Sequence, residues 1–581
     1  MSPRSSADAS HPNLNEKITH PMGSESPSRN DDGIDPSQSE DVNFAPITSP
    51  IADGERGAPL QKQRSSASRS VASGQLERSW SLNDGVSVGR HDVDEAEVAI
   101  DNAAYSVGWE ENDPLNPRNM NTARRWLIVC IVSLGSLCVT CTSSMYTTTY
   151  TQLMSEFGCS RIVATLGLSF FIWGLGIGPL VLSPLSEFYG RRNIYIISFT
   201  LFLIWLVPCA VAKNTETMLV ARLITGVVGS AFLSVAGGTV GDLFERHELG
   251  LPMMLYTASP FVGPEVGPLV GGFISAFTTW RWTFYALLIW TGVMLISMIF
   301  FVPETYHPVL LRRKAEKLRM ETGDDRWQAP IEKMQRSVAK TVLRSMYRPL
   351  LLLTLEPMCL CLSLFSAILL GILYLFFGAF QLVFSNVYGM VIWERGLCFL
   401  GIFVGMVIAI LSDPLWRRNY ARLERNHQKA TGNVEDFLPE WRLPQAILGG
   451  PLVTIGIFMF AWTIYPQVHW IVPIIGSAIF GAGTILVFSG IFTFFVDAWP
   501  TFAASALAAN SLARSSFGGI FPLFGIQMYN NLGYHWATSL LAFLTLAMTP
   551  FPELAGWLAR QLFREGTHKL TLGVIAFSRY F

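Results

Sequence analysis

The chain has 581 residues, half of them apolar, 12% aromatic and only 15% charged, with a formal charge of −1. A soluble domain carries roughly 25% charged residues, so this composition excludes a string of ordinary soluble domains, and the balanced charge excludes a nucleic-acid binder. Eight cysteines at no metal-ligand or disulfide-framework spacing exclude a stapled secreted fold.

Residues 1–123 show no apolar periodicity. The first 100 hold 18 serines, with 16 acidic against 9 basic side chains, too polar to offset the entropy of ordering, so this segment reads as a disordered tail. No apolar segment near Met1 has the form of a signal peptide, which places the tail in the cytosol. From Trp126 the pattern changes, since Trp126–Tyr146 is an uncharged run of 21 residues, enough to cross a hydrocarbon core of about 30 Å. Further spans are predicted at 161–183, 193–212, 217–241, 252–277 and 282–302. After a polar linker come 350–384, 396–412, 444–465, 470–496, 501–529 and 534–555, the first of these long enough for a tilted helix plus a surface segment. The expected fold is therefore an all-α membrane protein of twelve helices in two six-helix bundles, 124–303 and 350–556, joined by a cytosolic linker, 304–349. The tail 557–581 completes the chain. With the amino terminus inside, cytosolic loops carry twenty Lys and Arg and external loops four, which puts both termini in the cytosol.

Ionisable groups within hydrocarbon cost several kcal/mol and call for a partner, a cavity or a role. Glu265 falls mid-way along the fifth span, Glu356 about two turns into the seventh, and Arg222 and Arg514 lie in the fourth and eleventh. Glu265, with Arg222 and Glu356, is a candidate for proton coupling; a permanent ion pair or a backbone hydrogen bond explains Glu265 as well. Gly263, Pro264, Gly267, Pro268, Gly271 and Gly272 make the fifth span a distorted, closely packed helix, suited either to packing alone or to a moving seam. At the cytosolic end of the second span, Glu187, Gly190 and Arg191 form a candidate latch with Asp242. Ser412-Asp413 followed by Arg417-Arg418 repeats that pattern in the second half, with Asp413 in the place of Glu187. Tyr146, Tyr374, Gln381, Asn510 and Phe517 are candidates for an aromatic and polar cavity. With acidic groups nearby, such a cavity suits a cationic or amphipathic small molecule, though packing accounts for any one of them equally well. No P-loop is present, the nine histidines avoid the span interiors, and Cys138-x-x-Cys141 lies in an apolar helix. Hence neither nucleotide hydrolysis, a metal site nor a catalytic residue is expected.

The run Gly178 to Arg192, ending Glu187-Phe188-Tyr189-Gly190-Arg191-Arg192, together with Arg222-Gly226-Gly229 and Gly263 to Gly272, resembles the major facilitator superfamily. Trp280 to Phe284, Pro303-Glu304-Thr305-Tyr306 and Asp497 to Pro500 are similar to its fungal twelve-span drug:proton antiporters, the multidrug and polyamine exporters. The resemblance covers about 109–555. Ser183 and Glu187 stand where the family has Gly and Asp, and 553–581 departs from the short basic tail usual in such proteins. It implies a latch at Glu187, Gly190 and Arg191, proton transfer linked to Arg222, and export linked to the fifth-span glycines and prolines. The implied protein is a monomeric plasma-membrane antiporter of drugs, polyamines or secondary metabolites, embedded in lipid. It works by alternating access, is powered by protons without a cofactor, and is not an enzyme. A proton-coupled importer and a non-transporting membrane sensor are the alternatives.

Overall fold

The computed structural model describes residues 105–110, 113–245, 248–332, 337–431, 438–499 and 502–564. The disorder expected of 1–104 and the tail 565–581 lie outside them. The described residues form helices joined by turns and loops, with one isolated bridge between Ser106 and Gln328. In chain order the helices are α1 Thr122–Met145, α2 Tyr150–Phe157, α3 Arg161–Tyr189, α4 Arg191–Val211, α5 Thr215–Gly229, α6 Ala231–Ser234, α7 Ala236–Leu243, α8 Gly250–Phe277 and α9 Trp280–Phe301. After these come α10 His307–Thr322, α11 Val338–Leu355, α12 Pro357–Asn386, α13 Ile392–Cys398, α14 Leu400–Leu411 and α15 Asp413–Thr431. The last four are α16 Pro444–Thr463, α17 Ile471–Ala498, α18 Ala503–Met548 and α19 Phe551–Arg564.

Local chemistry sets the boundaries. Asn121, Ser160 and Asn214 cap α1, α3 and α5 by accepting from Ala123, Val163 and Thr217 N–H groups, satisfying donors that a helix start leaves free. Ten stretches are long and apolar enough to cross a membrane. They differ from the twelve predicted spans at two places. The helix α8 runs 28 residues, but its prolines, glycines and Glu265 dilute its hydropathy. The helix α18 runs 46 residues through Gly533, whose φ of 73° and ψ of 164° break it into two straight pieces.

The linker and its borders differ from expectation. The run 350–384 divides, as its length allowed: α11 carries it to Leu355, and α12 starts at Pro357, a residue suited to the first helical turn. Glu356 therefore sits between the two helices, not two turns inside the seventh span. Nor does the polar tail extend unbroken to 123. Val107 packs with Ala315 and Ala329, and Tyr105 meets Trp327 edge-on at 5.5 Å. Lys314 reaches Asp113 at 2.6 Å and Glu110 at 3.2 Å. A few aromatic and apolar side chains thus strap 105–119 onto α10, a signal too short to register as periodicity.

Helix packing at two places, among other contacts, joins the halves. Helix α8 packs on α13 and α14, and α3 packs on α18. Trp173 Nε1 donates to Ser516 O at 3.4 Å and Ser169 Oγ to Gly519 O at 2.6 Å.

Candidate functional site

On α8, Gly263, Gly267 and Gly271 recur every four residues and form one ridge. A Cβ on Gly263 would overlap Thr140 and one on Gly267 would overlap Ser144, while Gly271 faces Met145 and Thr148 of the α1 segment. Cys141 Sγ reaches Gly263 O at 3.1 Å. A second face of α8 looks the other way. Phe261 stacks on Phe488 of α17 at 4.9 Å, Pro268 O lies where a Cβ on Gly396 would fall, and Gly272 meets the Ile392 carbonyl. Glu265 shares this second face by helical spacing, one turn from Phe261 and from Pro268. It is 1% exposed, and neither carboxylate oxygen has a hydrogen-bond partner among the described residues.

Among the described residues Arg222 and Arg514 have no carboxylate partner. Arg222, fully buried, donates to Thr142 O at 3.0 Å and Gly167 O at 3.2 Å, and lies between the rings of Tyr146 and Phe171 at 4.5 and 4.3 Å. Arg514 lies 4.8 Å from the Phe492 ring, 5.5 Å from Phe488 and 5.7 Å from Phe261. Tyr374 of α12 places its hydroxyl 3.1 Å from Ser143 Oγ across the halves. Asn510 accepts a hydrogen bond from Ser366 and leaves its Nδ2 without a partner.

The five cavity candidates have different immediate surroundings. Tyr146 is 2% exposed and donates to Ala164 O, so its ring is a platform for Arg222. Tyr374 and Asn510 lie at the seam. Gln381 is half-buried towards the far end of α12, its carbonyl accepting from Arg395, and Phe517 packs on Phe521. Glu356, 4% exposed, stands at the start of α12, away from Glu265 in mid-helix. Burial pushes the Glu356 carboxyl above its ordinary value.

At the linker end, Arg191 is 4% exposed. Its Nε lies 3.4 Å from Asp242 Oδ2, its Nη1 donates to Ser186 Oγ at 2.7 Å, and its guanidinium covers the Tyr306 ring at 4.6 Å. Glu187 precedes the break at Gly190, so it and Arg191 belong to different helices. Asp413 pairs with Arg417 at 2.5 Å, and Arg417 Nη2 donates to Gly250 O at 2.8 Å, which ties the second half to the start of α8. Sequence reasoning assigned no role to Glu304. Its carboxylate accepts from the N–H groups of Arg191, Arg192, Thr305 and Tyr306, at 2.9 to 3.2 Å, and so caps α4. Only its place in Pro303-Glu304-Thr305-Tyr306 marked it.

The model of the Major Facilitator Superfamily matches residues 132–523, more than half of the chain. The chain belongs to the Major Facilitator Superfamily. This superfamily member is 56% identical over 444 residues to "Efflux pump atB" of Aspergillus terreus, a match spanning 76% of this chain and 85% of that protein. It is 42% identical to "Probable drug/proton antiporter YHK8" of Saccharomyces cerevisiae over 75% of this chain and 84% of that one. A match at 42% to the multidrug transporter mdrA of Aspergillus fumigatus covers 78% and 73%. Its fold is similar to that of the xylose transporter XylE from E. coli, with a TM-score of 0.51 at 18% identity, over 74% of this chain and 98% of that one. The superfamily member thus falls among fungal efflux pumps and drug/proton antiporters, as a multi-pass membrane transporter.

Proposed function

We propose that this protein is a proton-coupled exporter of small amphipathic organic molecules. Twelve helices cross the plasma membrane, both termini face the cytosol, and a monomer alternates access by rocking its two halves. The observation that carries this reading is Glu265, a carboxylate buried without a partner on the face of α8 turned towards the second half. A carboxylate held in place by an ion pair has no reason to change its proton; one with no partner gains or loses it with each change in hydration. Protonation removes a charge from the seam and so favours a closed packing over a hydrated one. Arg222, fixed by two carbonyls and two rings, supplies the positive field beside the proton's path, and Glu356, buried at the start of α12, is the second carboxylate for the coupling. The glycine ridge lets α8 pivot on α1. At the linker end the Arg417 hydrogen bond to Gly250 O crosses the halves and parts when they rock, while Arg191–Asp242 and Asp413–Arg417 hold the charges in place within each half.

Energy comes from the proton gradient, with no cofactor and no chemical conversion of the cargo. The relatives named as efflux pumps and drug/proton antiporters support the direction and the coupling. Import and a sensor role have no observation of their own. The test is Glu265→Gln, which keeps the shape and removes the titration. Cells expressing it should retain cargo as cells lacking the protein do, with wild-type amounts of protein at the membrane. Efflux at the wild-type rate would remove Glu265 from the mechanism.

A further inference from the structure

The sequence suggests a cationic cargo, but the groups at the seam are a poor match for one. Among the described residues neither Arg222 nor Arg514 has a carboxylate partner, and Arg222 Nη2, Arg514 Nε and Asn510 Nδ2 are buried donors without an acceptor. Asn510 and Arg514 sit four residues apart on α18 and therefore on one face. Asn510 is 1% exposed with Nδ2 unbonded. Arg514, half-buried, has no hydrogen bond or ion pair among the described residues, and its Nε is buried and unbonded. Arg514 lies eleven residues after Ala503, about 16 Å along the helix, near the middle of a span.

Phe488 and Phe492 come from α17, in the same half as Arg514, whereas Phe261 comes from α8 in the other half. The rings hold the guanidinium by its π-faces. They leave its edge, where a planar fork of N–H groups lies, free for an acceptor. A buried amide N–H and a buried guanidinium Nε without acceptors are costly in a folded chain, and with the open guanidinium edge they suit a planar anionic headgroup attached to an apolar body. The half-buried Phe492, packed with the buried Phe261 and Phe488, is the apolar surface nearest the guanidinium among the three rings.

We infer that Arg514 and Asn510, with the Phe261–Phe488–Phe492 cluster, form a subsite for the carboxylate of an amphipathic aromatic acid. Because one ring of the cluster belongs to the other half, a cargo seated there touches both halves and reports on their separation. Glu265, on the same side of α8 as Phe261, carries charge of the same sign as such a cargo. This inference rests on the exporter reading and adds the class of cargo.

The test uses the full-length protein in nanodiscs and three probes that share one ring system: 1-naphthoate, 1-naphthamide and 1-naphthylmethylammonium. Equilibrium dialysis gives each affinity at neutral pH. Wild type should bind naphthoate at least about tenfold more tightly than either other probe, the range expected for a desolvated charge-assisted pair. Arg514→Gln should lower naphthoate affinity at least about tenfold and leave naphthamide within about twofold, and Arg514→Lys should fall between. Equal affinities for the three probes, tighter binding of the ammonium, or loss of all three in a folded Arg514→Gln protein would overturn the subsite. Should Arg514→Gln fail to fold, Asn510→Ala and the wild-type rank order decide by the same criteria. Acid-driven efflux of the ammonium probe alone would overturn this inference and leave proton-coupled export standing.

Discussion

Gly190 is glycine for two reasons. Its φ of 90° lies in the left-handed region, which costs a side-chain-bearing residue about 1–2 kcal/mol. A Cβ there would also fall on the Glu304 carboxylate, the group that caps α4. Gly190→Ala should therefore lower the thermal stability of the purified protein by about 1–2 kcal/mol or more, and Glu304→Ala should do so by a similar amount. Unchanged melting of Gly190→Ala would show that α4 does not depend on this cap. Glu265, Arg222 and Arg514 were visible as anomalies in the sequence because charge within an apolar run stands out. Their isolation from one another was not, since whether a buried charge is paired depends on which faces of α1, α3, α8, α17 and α18 meet. Tyr146 illustrates the same limit. An aromatic residue in a span reads as cavity wall or as packing, and only the 4.5 Å stacking under Arg222 makes it a platform.

At the scale of elements, helix existence was legible and helix interruption was not. Long apolar runs specify spans through burial alone, but the break at Glu356 and the kink at Gly533 turn on backbone geometry at single residues. The glycine and proline run of α8 was legible as close packing, while its division into a face for α1 and a face for the second half required the partners. Gly267→Val should force α8 off α1, because its side chain would enter the space held by Ser144 and the Cys141 carbonyl. Transport is expected to fall by more than tenfold even where folded protein persists, since overpacking costs roughly 1–3 kcal/mol. Wild-type transport by Gly267→Val would mean that this ridge does not move in register.

The strap on α10 gives a pH dependence. Burial alone would raise the Asp113 carboxyl, but the hydrogen bonds from Lys314 and the Leu115 N–H outweigh it and hold Asp113 below the ordinary value. Burial likewise opposes the Lys314 ammonium, and its bonds to Asp113 and Glu110 outweigh that and raise it. A lowered carboxyl stabilises above its unfolded pKa near 4 and loses the contribution as pH falls through the folded value; a raised lysine loses its own only as pH climbs beyond about 10. Protection of the Val107 amide, which donates to Gln328 O at 3.1 Å, should therefore stay constant from about pH 5 to 8 and decline below about 4. Lys314→Met should lower that protection at neutral pH. Equal protection in the variant would mean the apolar contacts alone hold the strap.

For the whole molecule, charge bias, helix number and motif spacing in the sequence pointed to two related halves, and the family match agrees with the superfamily assignment. What the sequence could not convey is how the halves meet: α8 on α13 and α14, α3 on α18, with three unpaired charges near the seam and a capped, ion-paired cluster at the linker end. Packing between distant segments has no local signature. That arrangement makes one claim about the molecule as a machine, that an unpartnered carboxylate between two rocking halves converts a proton gradient into outward movement of cargo. The most direct measurement is cargo flux in proteoliposomes under an imposed pH gradient, with wild type and Glu265→Gln side by side. Uphill movement of cargo against the proton flow, abolished in Glu265→Gln while exchange down a cargo gradient persists, is the predicted result. Flux in wild type that ignores the gradient would contradict it.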